Sequence, residues 1–86
     1  MRIARTAQFK KAWEELTHGE RELARKAIVN LAMNLAYPAL RTKKIKGTDN
    51  IWEARVSRSL RLTFQIEHDI VVLRNIGRHD ETLENP

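Results

Sequence analysis

With 86 residues, no cysteine and three dispersed histidines, the chain has room for one domain, residues 1–86, built without disulfides or a structural zinc. Its hydrophobic fraction of 42% supplies one modest core. No apolar run nears membrane-spanning length and Met1–Thr6 lacks a signal peptide's apolar stretch, so a cytoplasmic protein with no membrane partner is expected. A formal net charge of +5 points to a polyanionic partner, with nucleic acid the first candidate and plain solubility the alternative.

The first residues suit a short strand with Ile3 inward. Thr6 is a fitting N-cap for a helix over Ala7–Leu16, where Phe9, Trp13 and Leu16 share one face. Thr17, His18 and Gly19 interrupt it. A longer helix over Glu20–Leu35 carries Leu23, Ala27, Ile28, Leu31 and Leu35 at helical spacing, and Pro38 ends it. Two helices joined so closely pack as an antiparallel hairpin.

Arg41–Lys46 then places four positive charges in six residues ahead of Gly47. Such a stretch offers phosphates electrostatic affinity through Lys43, Lys44 and Lys46; a solvated connector is the bland alternative.

Three strands follow: Ile51–Ser57, Leu60–Glu67 and Ile70–Gly77. Apolar residues alternate as Trp52, Ala54, Val56 and then Leu60, Leu62, Phe64, Ile66, while Arg55 and Arg61 take the opposite phase. Ser57–Ser59 and His68–Asp69 are short enough for hairpin turns, which makes the three a meander. The last strand is nearly all apolar, as in a central or doubly covered strand. Either Arg74 or Asn75 can face outward there. The apolar stripe of the helices and the apolar phase of the strands cover each other. The expected fold class is therefore α+β, a helical hairpin on one face of a small twisted antiparallel sheet.

Arg55 and Arg61 are thus expected on the uncovered face. A strand-borne guanidinium is rigidly placed, permanently charged and able to grip a phosphate or stabilise a pentacovalent phosphorane. The competing role is a cross-strand ion pair with Glu53 or Glu67. Past the last strand, Gly77–Asp80 contains Arg78 and His79. His79 is the histidine best placed for chemistry, since an imidazole exchanges protons near neutral pH. His18 and His68 fall in turns. Trp13, Trp52 and Phe64 fall in apolar phase, so no base-stacking stripe is expected. Walker, dinucleotide, HExxH and nucleophile-elbow motifs are missing, as is an acidic pair of two-metal spacing; any hydrolysis would need no metal or other cofactor.

Taken together, Lys44–Gly47, Ile51–Val56, Leu60–Phe64, Val71–Arg74 and Gly77–Asp80 resemble the RelE/ParE superfamily of type II toxin–antitoxin toxins, over nearly the whole chain. The resemblance implies a β-α-α-β-β-β domain. It also implies a ribosome-dependent, metal-independent endoribonuclease that cuts mRNA: the ribose 2′-hydroxyl attacks the adjacent phosphate, basic residues hold it, and an acid protonates the leaving 5′-oxygen. Arg61 matches the family's arginine in the second meander strand and Arg55 a basic position in the strand before. His79 matches the catalytic histidine of YafQ-like members. With them, Lys43, Lys44, Lys46, Arg74 and Arg78 are expected to contact phosphate. The chain departs from the family at the C-terminal tyrosine of RelE, which has no counterpart in Leu83–Pro86. It also lacks the additional YafQ histidines, and Glu53 replaces a basic residue of RelE. A small acidic antitoxin is the implied protein partner. The alternative readings are a ParE-like toxin that binds DNA gyrase without catalysis, and a binding-only relative.

Overall fold

A computed structural model describes residues 1–86. Strand β1 (Arg2–Arg5) leads into helices α1 (Ala7–Glu14) and α2 (His18–Met33). A 3₁₀ turn at Pro38–Leu40 precedes strands β2 (Lys43–Lys44), β3 (Ile51–Arg55), β4 (Leu60–Glu67) and β5 (Ile70–Arg78), and a terminal helix α3 (His79–Glu84) follows. The five strands form one sheet in the order β1-β5-β4-β3-β2. The β2-β3-β4-β5 ladders are antiparallel, as the hairpin turns require, but β1 lies parallel to β5, so the sheet is mixed. The α1–α2 hairpin carries the chain from the β1 edge of the sheet to the β2 edge, and the antiparallel strands then return it to β5 beside β1.

Capping hydroxyls set where the helices begin. Thr6 Oγ1 accepts from the Phe9 amide at 3.1 Å and so starts α1. Thr17 Oγ1 accepts from the Glu20 amide while Glu20 Oε1 accepts from the Thr17 amide, a reciprocal capping box. Thr17 is therefore the start signal of α2 as well as the interruption. Arg21 closes the hairpin by donating to Trp13 O at 3.2 Å and Glu14 O at 2.9 Å, satisfying carbonyls at the end of α1. Helix α2 stops at Met33, two residues before the expected Leu35, because Asn34 leaves helical geometry and its Oδ1 accepts from the Ala36 amide. Pro38 instead opens the 3₁₀ turn.

The core is one cluster between the helices and the apolar phase of the sheet. Phe9, Leu16, Ala24, Ala27 and Leu31 meet Ala54, Leu60, Leu62, Phe64, Val71, Leu73 and Ile76, with Leu40 closing one end. Ala24 occupies the position that periodicity gave to Leu23, which is 45% exposed. Ala24 and Ala27 are both buried in the core, where a leucine would overpack it.

Strand β5 changes phase halfway. Phe64 pairs with Leu73 but Thr63 pairs with Asn75, so Arg74 is an extra residue in a β-bulge. The core alternation Val71, Leu73 thereby resumes at Ile76, while Arg74 and Asn75 both turn to the face away from the core helices. Gly77 lies opposite Arg61 on that same face. Helix α3 folds back over it, and Thr82 Oγ1 sits 2.9 Å from where a Cβ on Gly77 would be. We expect Gly77→Ala to destabilise the fold by about 1–3 kcal/mol in urea denaturation. Thr82→Ala makes room at the contact, so the double variant should be less than additively destabilised.

Candidate functional site

Residues paired across antiparallel strands share a face, so the register defines what the sheet presents opposite its core helices. One row is Arg55–Arg61–Gly77; the next is Lys43–Glu53–Thr63–Asn75. Arg55 and Arg61 are directly opposed. Like charges so placed repel each other. No carboxylate neutralises either one, since the salt bridges of the chain are Arg2–Asp69, Arg25–Glu22 and His79–Asp80. Neither Glu53 nor Glu67 forms the ion pair that would have occupied these arginines; Glu67 accepts from Gln65 instead.

The two arginines differ in how they are held. Arg61 Nη1 donates to Ser57 O at 2.8 Å and Leu60 O at 3.0 Å, with Arg58 O at 3.4 Å, so it braces the β3–β4 turn. A guanidinium has five N–H donors, and those on Nε and Nη2 have no protein acceptor. Arg55 is half-buried and makes no side-chain hydrogen bond. The same turn anchors His79, whose amide donates to Ser59 O at 3.2 Å. Arg55, Arg61 and His79 are therefore gathered around Ser57–Leu60 at one end of the sheet.

His79 Nδ1 lies 3.1 Å from Asp80 Oδ1, with the ring about half exposed. Neighbouring residues on an extended strand diverge, but these two stand in the first turn of α3 and so can meet. A carboxylate only accepts, so Nδ1 donates to it and Nε2 is left for a ligand.

The other basic residues named from sequence separate. Lys43 is exposed and shares the face of Glu53, and Lys46 is exposed in the loop beyond β2. Lys44 pairs with Trp52 and Arg78 with Leu60, which puts both on the phase of the core helices. Arg74 is half-buried, and its Nε donates to Pro86 O at 3.0 Å while Nη1 donates to Gln65 Oε1. Lys44, Arg74 and Arg78 thus do not join the cluster around the turn.

Three further residues do belong to this region. Glu53 is only 6% exposed although it shares the phase of Arg55. Strand alternation already placed that carboxylate there. Thr63 is fully buried and its Oγ1 has no hydrogen-bond partner. Arg58 stands exposed at the tip of the turn and adds positive charge beside Arg55 and Arg61. No group of three or more His, Asp or Glu side chains is arranged to hold a metal ion.

No sequence-family model matches the chain, and no curated protein matches it in sequence. Solved structures do match it in shape. The RelB–RelE antitoxin–toxin complex of Methanococcus jannaschii superposes with a TM-score of 0.77 at 18% identity, over 94% of this chain and 95% of that one. The RelBE toxin–antitoxin complex of E. coli gives 0.74 at 20% identity, over 92% and 96%. A YafQ mutant from E. coli gives 0.74 at 15% identity, over 94% and 97%. The fold defined by the sheet order and helical hairpin is thus that of toxins from toxin–antitoxin systems. More particularly, it is the RelE-like fold shared by RelE and YafQ, in agreement with the α+β architecture expected from sequence.

The differing bonds of the two arginines separate their effects on stability. Arg61→Ala should lower unfolding free energy by about 1–3 kcal/mol, because it strips charge-assisted bonds from the turn. Arg55→Ala should change it by no more than about 0.5 kcal/mol, as it removes an unpaired charge. Urea denaturation of the two variants checks this.

Proposed function

We propose that the protein is the toxin of a type II toxin–antitoxin pair, a cytoplasmic, metal-independent endoribonuclease acting on mRNA at the ribosome. The observation that carries this reading is the opposed, unneutralised pair Arg55 and Arg61 on the turn that also anchors His79. A phosphodiester is the ligand such a pair lacks. It relieves the repulsion, accepts the free guanidinium donors and lies within the province of a proton-transferring imidazole.

In the proposed reaction the ribose 2′-oxygen forms a bond to the adjacent phosphorus and the bond to the 5′-oxygen breaks. The products are a 2′,3′-cyclic phosphate and a 5′-hydroxyl. Arg55 and Arg61 stabilise the charge that builds on the non-bridging oxygens. His79 delivers the proton to the departing 5′-oxygen, with Asp80 holding its Nδ1. Glu53, on the same face two residues from Arg55, takes the 2′-hydroxyl proton. Lys43, on the face of Glu53, and the exposed Lys46 add affinity for the flanking phosphates.

The protein partner in this reading is an acidic antitoxin, as charge complementarity to +5 suggests. A groove of about 650 Å³ on the outer side of the hairpin fits an acidic amphipathic helix. Phe9, Trp13, Ile28 and Val29 line it, and Arg5, Lys10 and Arg25 rim it together with a single carboxylate, Glu14.

Expression of the protein alone, with primer extension on cellular mRNA, tests the reaction. New 5′ ends should appear within coding regions, and His79→Ala or Arg55→Ala should lower their yield by about 10²-fold or more with the fold intact. Glu53→Gln, nearly isosteric, should lower it comparably. Growth arrest without new 5′ ends would overturn this reading, and inhibited gyrase supercoiling would then favour the ParE-like one.

A further inference from the structure

We infer that Arg74 and Asn75, together with Gln8, clasp the backbone at Asn85–Pro86 and thereby set the position of His79. This makes them positioning residues of the site and not RNA contacts; the catalytic consequence rests on the ribonuclease reading above.

Helix α3 spans six residues, and its N-cap, Arg78, makes no side-chain capping bond. A helix so short does not persist without tertiary anchors. It has three. At its start the His79 amide donates to Ser59 O. In its middle Thr82, 1% exposed, packs on Gly77. Beyond its end, Asn85 O accepts from Gln8 Nε2 at 2.9 Å and from Asn75 Nδ2 at 2.9 Å, while Pro86 O accepts from Arg74 Nε at 3.0 Å.

The bulge is what makes the clasp possible, since it turns two consecutive residues of β5 to one side. The clasp is also tied to α1. Thr6 Oγ1 and Gln8 Nε2 both donate to Arg74 O, at 2.9 and 3.2 Å. Arg74 in turn donates Nη1 to Gln65. Its directional donors point at the tail and a neighbouring strand, as befits a structural guanidinium. Releasing the tail leaves α3 held only at its start and middle, so His79 and its Asp80 partner lose their fixed relation to Arg55 and Arg61.

The test compares the full chain with Arg74→Ala and with Asn75→Asp, which keeps the side-chain size but replaces the donor with an acceptor. Amide exchange by NMR reports the clasp directly. Exchange at His79–Glu84 should accelerate about tenfold in both variants while amides of β3 and β4 stay within about twofold. Cleavage of a model RNA should lose about tenfold in kcat with KM within about twofold. If either variant fails to fold, Gln8→Ala opens the same tail from the α1 side and should show the same pattern. Unchanged exchange at His79–Glu84, or an Arg74→Ala effect confined to KM, overturns the inference. Accelerated exchange in the variants, with a wild-type protein that cleaves no RNA, would uphold the clasp and sink the ribonuclease reading alone.

Discussion

The single extra residue in β5 fixes the geometry of everything at the end of the sheet. Without it, Thr63 would face Arg74, Arg61 would face Ile76 and Leu60 would face Gly77. Ile76 would then leave the core for the arginine face, and Asn75 would take its place opposite Leu62. With the bulge, Ile76 pairs with Leu62 in the core, Gly77 lies opposite Arg61, and the His79 amide reaches Ser59 O. A one-residue shift in a strand reverses every side chain beyond it, so both faces specify this bulge.

The same end of the sheet shows how a site can oppose stability in one bond and support it in the next. Arg55 facing Arg61 is unfavourable in isolation, and no carboxylate relieves it. Arg61 offsets part of this by bracing the carbonyls of the β3–β4 turn, which also holds α3. The turn is thus a structural hub and the rim of the candidate site. Helix α3 and the tail cover part of the face that alternation alone would leave open, and Thr63 beneath is fully buried with an orphan hydroxyl.

Much of this was legible in the chain. The alternation from Trp52 to Ile66 assigns two strands and their inner face without ambiguity, and Thr6 announces α1. Arg55 and Arg61 follow as outward residues by parity. Other features had no local signature. Strand β1 has only Ile3 and Ala4 as apolar residues, too little to declare a parallel partner nearly seventy positions away. Arg74 and Asn75 fit either phase because the bulge turns both of them outward. Leu23 and Ala24 are neighbours on the helix, and only the tertiary packing of α2 decides that Ala24 is buried and Leu23 exposed. Helix α3 did carry a signal, with Asp80 and Glu81 in its first turn, where carboxylates favour the helix dipole. The lysines of β2 lie on a strand too short for its pairing to be read, so Lys43 and Lys44 part to opposite faces.

In the proposed site, Arg55, Arg61 and His79 bind one anion around the Ser57–Leu60 turn. The most direct measurement is an NMR titration of the protein with a short RNA whose 2′-hydroxyls are methylated, which binds but cannot be cut. The account predicts shifts that saturate together at residues 55–61 and His79, and that weaken as salt rises because phosphate contacts release counterions. Shifts confined to the outer groove of the helical hairpin, or none at millimolar RNA, would contradict it.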